Sequence, residues 1–192
     1  MSQPKILAFA GSVRKDSFNR KLIQIAVEGA REAGADVTLI ELKDYPLPLF
    51  DQDLEAEQGA PANAVKLKQI FVSHQALLIA SPEYNSSITP LLKNTLDWVS
   101  RPAPGEESLL AFQGKVASLI SASPGGLGGL RGLVHLRAIL GNIGVIVLPE
   151  QVAIATAHEA FNPTGALKND KQRLSVRKVG QSLVAAVSKL GK

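Results

Sequence analysis

The sequence predicts an α/β fold in which a parallel five-stranded sheet is covered by helices on both faces. Two observations carry this prediction. Apolar runs of strand length alternate along the chain with segments whose apolar residues repeat at helical spacing. One of these runs, residues 76–80, is apolar at every position, which is typical of a parallel strand buried on both faces. The alternation indicates right-handed βαβ units in a three-layer sandwich, and 192 residues suit a single domain, residues 1–192.

The first third of the chain contains two of the predicted strands and one of the predicted helices. Strand 1 covers residues 5–10, and an amphipathic helix runs from Ser17 to about residue 33. Strand 2 alternates polar and apolar residues over 36–41. Residues 44–61 hold three prolines and a glycine, so we expect them to be irregular over most of their length. A lid, a partner contact and a passive surface loop all remain open for this segment.

The rest of the chain continues the same alternation. Helices are predicted at residues 63–72, 88–99, 130–140 and 170–190, and strands at 76–80, 116–120 and 145–148. Pro90 falls in the first turn of its helix, where a missing N–H costs little. Residues 149–165 have no clear pattern, although 151–155 could extend the last strand.

The composition excludes several classes of protein. Hydrophobic residues make up 45% of the chain and charged residues 20%, which is the balance of a globular protein. The chain has no cysteine, which excludes disulfides and thiolate metal sites and predicts a cytoplasmic protein. No apolar run approaches the length of a membrane span, so we expect no membrane partner. The net charge of +4 is dispersed and only 5% of residues are aromatic, which favours small anionic ligands over nucleic acid.

Five strands with these crossovers favour the order 2-1-3-4-5, the flavodoxin-like arrangement. Flavodoxin is the standard example of the rule that ligands bind in the crevice at the carboxyl ends of strands 1 and 3, where the winding reverses. The loops after strands 1, 3 and 4 are neighbours in that order, and all three have unusual compositions. We therefore expect the functional site to lie where these loops meet.

The loop after strand 1, residues 10–19, has the chemistry of a phosphate site. It leads from a strand into a helix, whose N-terminal N–H groups and dipole attract anions. Gly11 lets the backbone turn, and Arg14 adds a fixed charge whose donors match phosphate oxygens. Ser12, Ser17 and Asn19 add short neutral donors. An ordinary βα loop with Ser17 as the helix N-cap is the alternative.

The loops after strands 3 and 4 suit a flat heterocycle. Residues 82–85, Pro-Glu-Tyr-Asn, offer a rigid turn, exposed backbone donors and an amphipathic ring. Residues 121–126 supply small side chains where a ring needs to approach the backbone, although a tight turn before a helix explains the glycines equally well. The glycine spacing fits neither the dinucleotide fingerprint nor the P-loop.

Three motifs together resemble the NAD(P)H-dependent FMN reductases, and most closely their bacterial chromate and quinone reductase branch. They are residues 11–19, 81–87 and 92–98, and the similarity extends over nearly the whole chain. The resemblance implies FMN as cofactor, with its phosphate on the first loop and its isoalloxazine ring between the other two. It assigns to the cofactor the first-loop residues Ser12, Arg14, Ser17, Phe18 and Asn19, the second-loop residues Pro82, Glu83, Tyr84 and Asn85, and beside the ring Ser123, Gly125 and Gly126.

The same resemblance implies the activity. NADPH or NADH would pass a hydride to flavin N5, and quinones or other acceptors such as chromate would take the electrons at the same face in ping-pong fashion. The flavin carries this chemistry, so we expect no catalytic side chain and no metal. The three histidines are far apart in the sequence and lack ligand spacing. A homodimer or homotetramer, with the FMN near the subunit interface, is also implied.

Two other functions remain open. A flavodoxin-like electron carrier would bind FMN without reacting with pyridine nucleotides. The positive net charge argues against it, since such carriers resemble strongly acidic proteins. A ligand-binding domain with no flavin is the second rival, and flavin absorbance of the purified protein would exclude it.

Overall fold

A computed structural model describes residues 3–190, and its centre is a parallel five-stranded sheet. In chain order the strands of this sheet are β1 (Lys5–Ala10), β2 (Asp36–Ile40), β3 (Ala76–Ala80), β6 (Val116–Ala122) and β7 (Ile146–Ile154). A separate antiparallel hairpin consists of β4 (Glu83–Tyr84) and β5 (Ser87–Ile88). The sheet order is β2-β1-β3-β6-β7, which is 2-1-3-4-5 counted within the sheet. The predicted fold class and strand order are therefore confirmed.

Helices cover both faces of the sheet. They are α1 (Phe18–Glu32), α2 (Gln52–Gln58), α3 (Ala62–Val72), α4 (Pro90–Val99), α5 (Leu130–Asn142), α6 (Ala157–Ala160) and α7 (Asp170–Leu190). Alternate residues of β1 lie on opposite faces of the sheet and pack in two different hydrophobic cores. Ile6 and Ala8 pack with α1 and α7, whereas Leu7 and Phe9 pack with α3, α4 and α5. This alternation follows from the two-residue period of a strand and explains why β1 is apolar from Ile6 to Ala10.

Residues 44–61 are irregular over most of their length, as expected, but they contain a helix that the pattern did not predict. Residues 52–58 form α2, and the side chain of Asp51 caps this helix by accepting hydrogen bonds from the N–H groups of Asp53 and Leu54. The prolines and the glycine lie outside the helix: Gly59 ends it with a φ of 73°. Gly59 therefore marks the end of this helix, and prolines outside the helix do not exclude it.

The last strand is longer than residues 145–148. Strand β7 continues to Ile154, as the pattern at 151–155 suggested, and it passes through Pro149. Its register against β6 shifts between Ala117 and Leu119, so the proline falls in an irregular part of the ladder. This strand is at the edge of the sheet, where a residue without an N–H is tolerated.

The ends of two helices matter for the site. Ser17 caps α1, since its side chain accepts a hydrogen bond from the Arg20 N–H, and Thr89 caps α4 in the same way through the Leu92 N–H. Between residues 3 and 190, no helix combines the length and the apolar character needed to cross a membrane.

Candidate functional site

A cavity of about 310 Å³ opens at the carboxyl ends of β1, β3 and β6. Three loops that are far apart in the sequence form its walls, as the strand order requires. The lining residues are Ser12, Arg14, Ser17, Phe18, Asn19, Pro82, Glu83, Tyr84, Ala122, Ser123 and Pro124. The structure thus brings together most of the residues predicted for the cofactor. Asn85, Gly125 and Gly126 do not line this cavity, and their assignment to the flavin stays a prediction.

The end of the cavity next to α1 offers hydrogen-bond donors to an anion. Ser17 is buried and lines the cavity while it caps the helix, so its phosphate and capping interpretations are compatible. Phe18 and Asn19 belong to the first helical turn, whose N–H groups have no partners within a helix. The Arg14 guanidinium carbon lies 5.3 Å from the centroid of the Phe18 ring. Together these groups provide the charge and the donors that a phosphate monoester needs.

The side chain of Asn19 is turned toward strand β6. Its Nδ2 donates to the Ala122 carbonyl at 2.8 Å, and its Oδ1 accepts from the Ala122 N–H at 2.9 Å. The residue is almost completely buried. The amide oxygen and one amide hydrogen are therefore used to join the first loop to the end of β6. A phosphate could receive only the remaining amide hydrogen or the backbone N–H of Asn19.

The second wall is the β4–β5 hairpin. Its two turn residues, Asn85 and Ser86, have φ angles of 48° and 68°, which is the backbone pattern of a tight two-residue hairpin turn. Tyr84 is 55% exposed and stands at the mouth of the cavity. A flat ligand entering the cavity would pass this ring.

Glu83 fixes the hairpin to helix α5. Its carboxylate accepts from the Arg131 guanidinium at 2.8 Å and from the Gly132 N–H at 3.0 Å. Burial of Glu83 raises the pKa of this carboxyl, but the hydrogen bonds from Gly132 and Arg131 outweigh that effect, so the pKa lies below its ordinary value. Glu83 is consequently an anion at neutral pH and holds the loop in place. Sequence reasoning missed Arg131 because 48 residues separate the pair.

The third wall is the loop after β6. The Ser121 hydroxyl donates to the Ser81 carbonyl at 2.7 Å, which ties the ends of β6 and β3 together behind the cavity. The glycines on which this loop depends are Gly128 and Gly129, both with positive φ. An added Cβ would lie 2.7 Å from the Ala155 nitrogen at the first and 1.9 Å from the Ser121 Oγ at the second. Larger residues there would displace the loop.

Thr89 is a further supporting residue that sequence reasoning missed. Its buried hydroxyl donates to the Gly11 carbonyl at 2.8 Å while its oxygen caps α4. The phosphate loop is thereby fixed to the helix that follows the hairpin. A Thr-Pro pair at a helix start signals the cap, but nothing in the sequence signals the contact with Gly11.

The third motif, residues 92–98, supports the segment before α2. Asn94 donates to the Pro48 carbonyl at 2.8 Å and accepts from the Phe50 N–H at 2.8 Å. The Trp98 indole N–H also donates to Pro48, and its ring meets the Phe50 ring edge-on at a centroid distance of 5.0 Å. Leu49 lies between these anchors and is 77% exposed. This motif is thus structural within one chain, and it presents an apolar side chain to the surface.

A second cavity, of about 290 Å³, lies between α3 and residues 101–110 and contains none of the predicted cofactor residues. The histidines are also away from the first cavity's walls. His74 bonds to Thr38 and to the Ile70 carbonyl, and His135 bonds to Ser87. In the described residues, no group of three or more His, Cys, Asp or Glu side chains is placed to hold a metal ion.

Comparison with known proteins finds relatives that match nearly the whole chain. The model of the family described as NADPH-dependent FMN reductase matches residues 4–159. An NAD(P)H-dependent FMN reductase of Pseudomonas aeruginosa is 35% identical over 187 residues, covering 97% of this chain and 96% of that protein. An NAD(P)H:quinone oxidoreductase of Solanum tuberosum is 33% identical over 191 residues, covering 97% and 94%. Among solved structures, FerB, a flavoenzyme NAD(P)H:(acceptor) oxidoreductase from Paracoccus denitrificans, superposes with a TM-score of 0.81 at 27% identity, covering 97% of this chain and 98% of that one.

The residues of the cavity fit FMN. A phosphate finds donors and a cation at the α1 end. A planar ring finds the Tyr84 ring on the hairpin wall and the small residues Ala122 and Ser123 on the wall after β6. The family match covers most of the chain, and relatives above 30% identity extend over nearly all of it. The chain therefore belongs to the NADPH-dependent FMN reductase family and is an NAD(P)H-dependent oxidoreductase with FMN as its cofactor.

Proposed function

We propose that this protein transfers electrons from NADPH or NADH to quinones and to other oxidants such as chromate. We further propose that residues 1–192 form a single domain and that the enzyme is cytoplasmic. The observation that carries the proposal is the single cavity in which three loops meet, with anion-binding groups at one end and Tyr84 at its mouth. The acceptor class is supported by the names of relatives, among them a quinone reductase of Pseudomonas putida at 33% identity.

The residues of this chain bind and orient the cofactor. Ser12, Arg14 and Ser17, with the first N–H groups of α1, would hold the phosphate. The hairpin residues Pro82 to Asn85 and the Ser123 loop would border the ring. FMN supplies hydride acceptance and electron release when bound, so no side chain has to act as acid or base. The carboxylate of Glu83 is already engaged by Arg131 and Gly132, and this leaves the hairpin backbone to face the ring.

The position of Tyr84 supports alternating use of one entrance. A donor and an acceptor that both reach the ring past Tyr84 would exclude each other, so oxidised nucleotide has to leave before the acceptor enters. This is the structural basis for expecting ping-pong kinetics.

The protein is also proposed to form a symmetric homodimer or homotetramer. Leu49 is a large apolar residue held outward by the Asn94 and Trp98 contacts, and it would be covered by a neighbouring copy. In the proposed assembly the neighbour completes each flavin pocket.

One experiment separates this function from the electron carrier. Protein loaded with FMN is mixed with NADPH and with NADH, and oxidation of the nucleotide is followed with and without benzoquinone. We expect quinone-dependent turnover with at least one nucleotide. Tightly bound FMN without nucleotide oxidation would instead support a carrier, and failure to bind FMN would exclude both. The similarity to an archaeal flavodoxin, with a TM-score of 0.65 at 11% identity, concerns the fold alone.

A further inference from the structure

Arg14 lies on a stack of two aromatic rings. Its guanidinium carbon is 5.3 Å from the centroid of Phe18, and the Phe18 ring is stacked on Phe161 at 5.9 Å with an angle of 11° between the planes. The ammonium of Lys21 is also near Phe18, at 6.0 Å. Phe161 lies just beyond the part of the chain that the family model matches, residues 4–159. No residue after 159 was predicted to serve the cofactor.

The backbone around Phe161 is rigidly held. Phe161 pairs with Leu167 across an isolated antiparallel bridge, and both residues are buried. The Lys168 N–H donates to the Ala160 carbonyl at 2.9 Å, and the Ala157 N–H donates to the Ser123 carbonyl at 3.0 Å. The ring of Phe161 is therefore fixed relative to one wall of the cofactor cavity.

Arg14 itself has few other restraints. It is exposed, and across residues 3–190 no carboxylate lies within ion-pair distance of its guanidinium. A long side chain without a partner loses conformational entropy when it binds a ligand. The face of Phe18 attracts the guanidinium and restricts it to the side of the cavity. That restriction depends on the ring of Phe18, which is stacked on Phe161.

We propose that Phe161 is a positioning residue for the FMN phosphate, acting through Phe18 on Arg14. The proposal rests on the proposed placement of the phosphate at the Arg14 loop. It adds a residue from the C-terminal part of the chain to the cofactor site, and it assigns Phe161 no contact with FMN.

The test compares the affinities of FMN and riboflavin, which differ by the phosphate. Dissociation constants are measured by flavin fluorescence for the wild type, Phe161→Leu, Arg14→Ala and the double variant. We expect Phe161→Leu to weaken FMN measurably but by no more than about five-fold, the full effect of losing an exposed cation–π contact, with riboflavin unchanged. In the Arg14→Ala background, Phe161→Leu should have no further effect on FMN. Phe161→Tyr, which keeps the ring, should restore the wild-type ratio of the two affinities.

Leu167→Ala is the matched control, because it removes a buried apolar side chain from the same bridge but no aromatic ring. It should leave the ratio of FMN to riboflavin affinity unchanged.

If Phe161→Leu does not fold, Phe18→Leu removes the ring beneath Arg14 directly and should lower the same ratio. The proposal would be overturned if Phe161→Leu weakened FMN and riboflavin equally, or left the ratio of their affinities unchanged. It would also be overturned if Phe161→Leu weakened FMN as much in the Arg14→Ala background as in the wild type. If Arg14→Ala alone leaves the ratio unchanged, the phosphate assignment is wrong, which is a different result from failure of the coupling.

Discussion

The side-chain amide of Asn19 pairs with the backbone of Ala122 through two hydrogen bonds, of 2.8 and 2.9 Å, across 103 residues of sequence. Asn19 is in the first turn of the helix that follows the phosphate loop, and Ala122 is the last residue of β6. The pair thus connects the wall that would hold the phosphate with the wall that would hold the ring. A change at Asn19 should be transmitted to both ends of the cofactor.

Asn19→Ala should weaken FMN and riboflavin by similar factors. The substitution leaves the buried N–H and carbonyl of Ala122 without their partners, and we expect a loss of about 1–3 kcal/mol in the free energy of unfolding. Chemical denaturation and titration with both flavins would measure these effects. If FMN weakens while riboflavin does not, the side chain of Asn19 is a phosphate ligand and its role as a connector is secondary.

Arg14→Ala should weaken FMN strongly while the protein stays folded. A charge-assisted contact with phosphate contributes about 1.5–3 kcal/mol, and the exposed side chain adds little to the core. Equilibrium titration of the folded variant measures the loss. Lys15→Ala is the control, because Lys15 is an adjacent exposed cation that does not line the cavity. Unchanged affinity in Arg14→Ala would place the phosphate elsewhere.

Glu83 should make the stability of the protein depend on pH in the acid range. Its carboxyl pKa in the folded protein is below the ordinary value of 4.5, so the folded state binds its proton less readily than the unfolded chain does. The stabilisation is fully present above pH 4.5 and is lost as the pH falls through the lower, folded-state pKa.

Glu83→Gln should accordingly reduce the difference in unfolding free energy between neutral and acid pH. Urea denaturation at pH 7 and at several values below 4.5 would measure this difference. Glu150→Gln, at an exposed position on β7 away from the hairpin, serves as the control. An identical pH profile for wild type and Glu83→Gln would mean that the contacts with Arg131 and Gly132 do not persist in solution.

Leu49→Asp should shift the assembly toward smaller species. A charge on a side chain that is 77% exposed in one chain costs little unless a neighbouring copy covers it. Light scattering at assay concentration would measure the change. Leu174→Asp, at another largely exposed apolar residue on α7, should leave the mass unchanged. A wild-type protein that is monomeric and fully active would contradict the proposed oligomer.

The contrast between what the sequence predicted and what it missed has a physical cause. The strands and most helices follow from periodicity within single segments, so β3 and α7 appear where the pattern places them. The three-loop site follows from strand order, because parallel strands bring their carboxyl ends together. These features need no knowledge of individual side-chain contacts.

The missed features depend on tertiary contacts or on short segments. An asparagine at a helix start can bind a phosphate or a strand backbone, and only the position of Ala122 decides which partner Asn19 reaches. The pairing of Glu83 with Arg131 and that of Thr89 with Gly11 join distant segments. Helix α2 is only seven residues long and its flanking prolines concealed it.

Tyr84 gives the most direct test of how acceptors reach the flavin. It is 55% exposed at the mouth of the cavity, and small side chains and backbone make up much of the neighbouring loop after β6. Such a surface has few groups that could distinguish one acceptor from another by shape. We therefore expect benzoquinone, ferricyanide and chromate to be reduced at rates that follow their redox potentials, with parallel lines in double-reciprocal plots.

Tyr84→Ala should change the rates with all three acceptors by a similar factor, because it alters the shared entrance and leaves the Arg14 loop intact. Ser86→Ala, in the turn of the same hairpin, is the control for a general disturbance of that loop. Intersecting lines, or one acceptor preferred by orders of magnitude, would contradict a single open entrance used in turn by donor and acceptor.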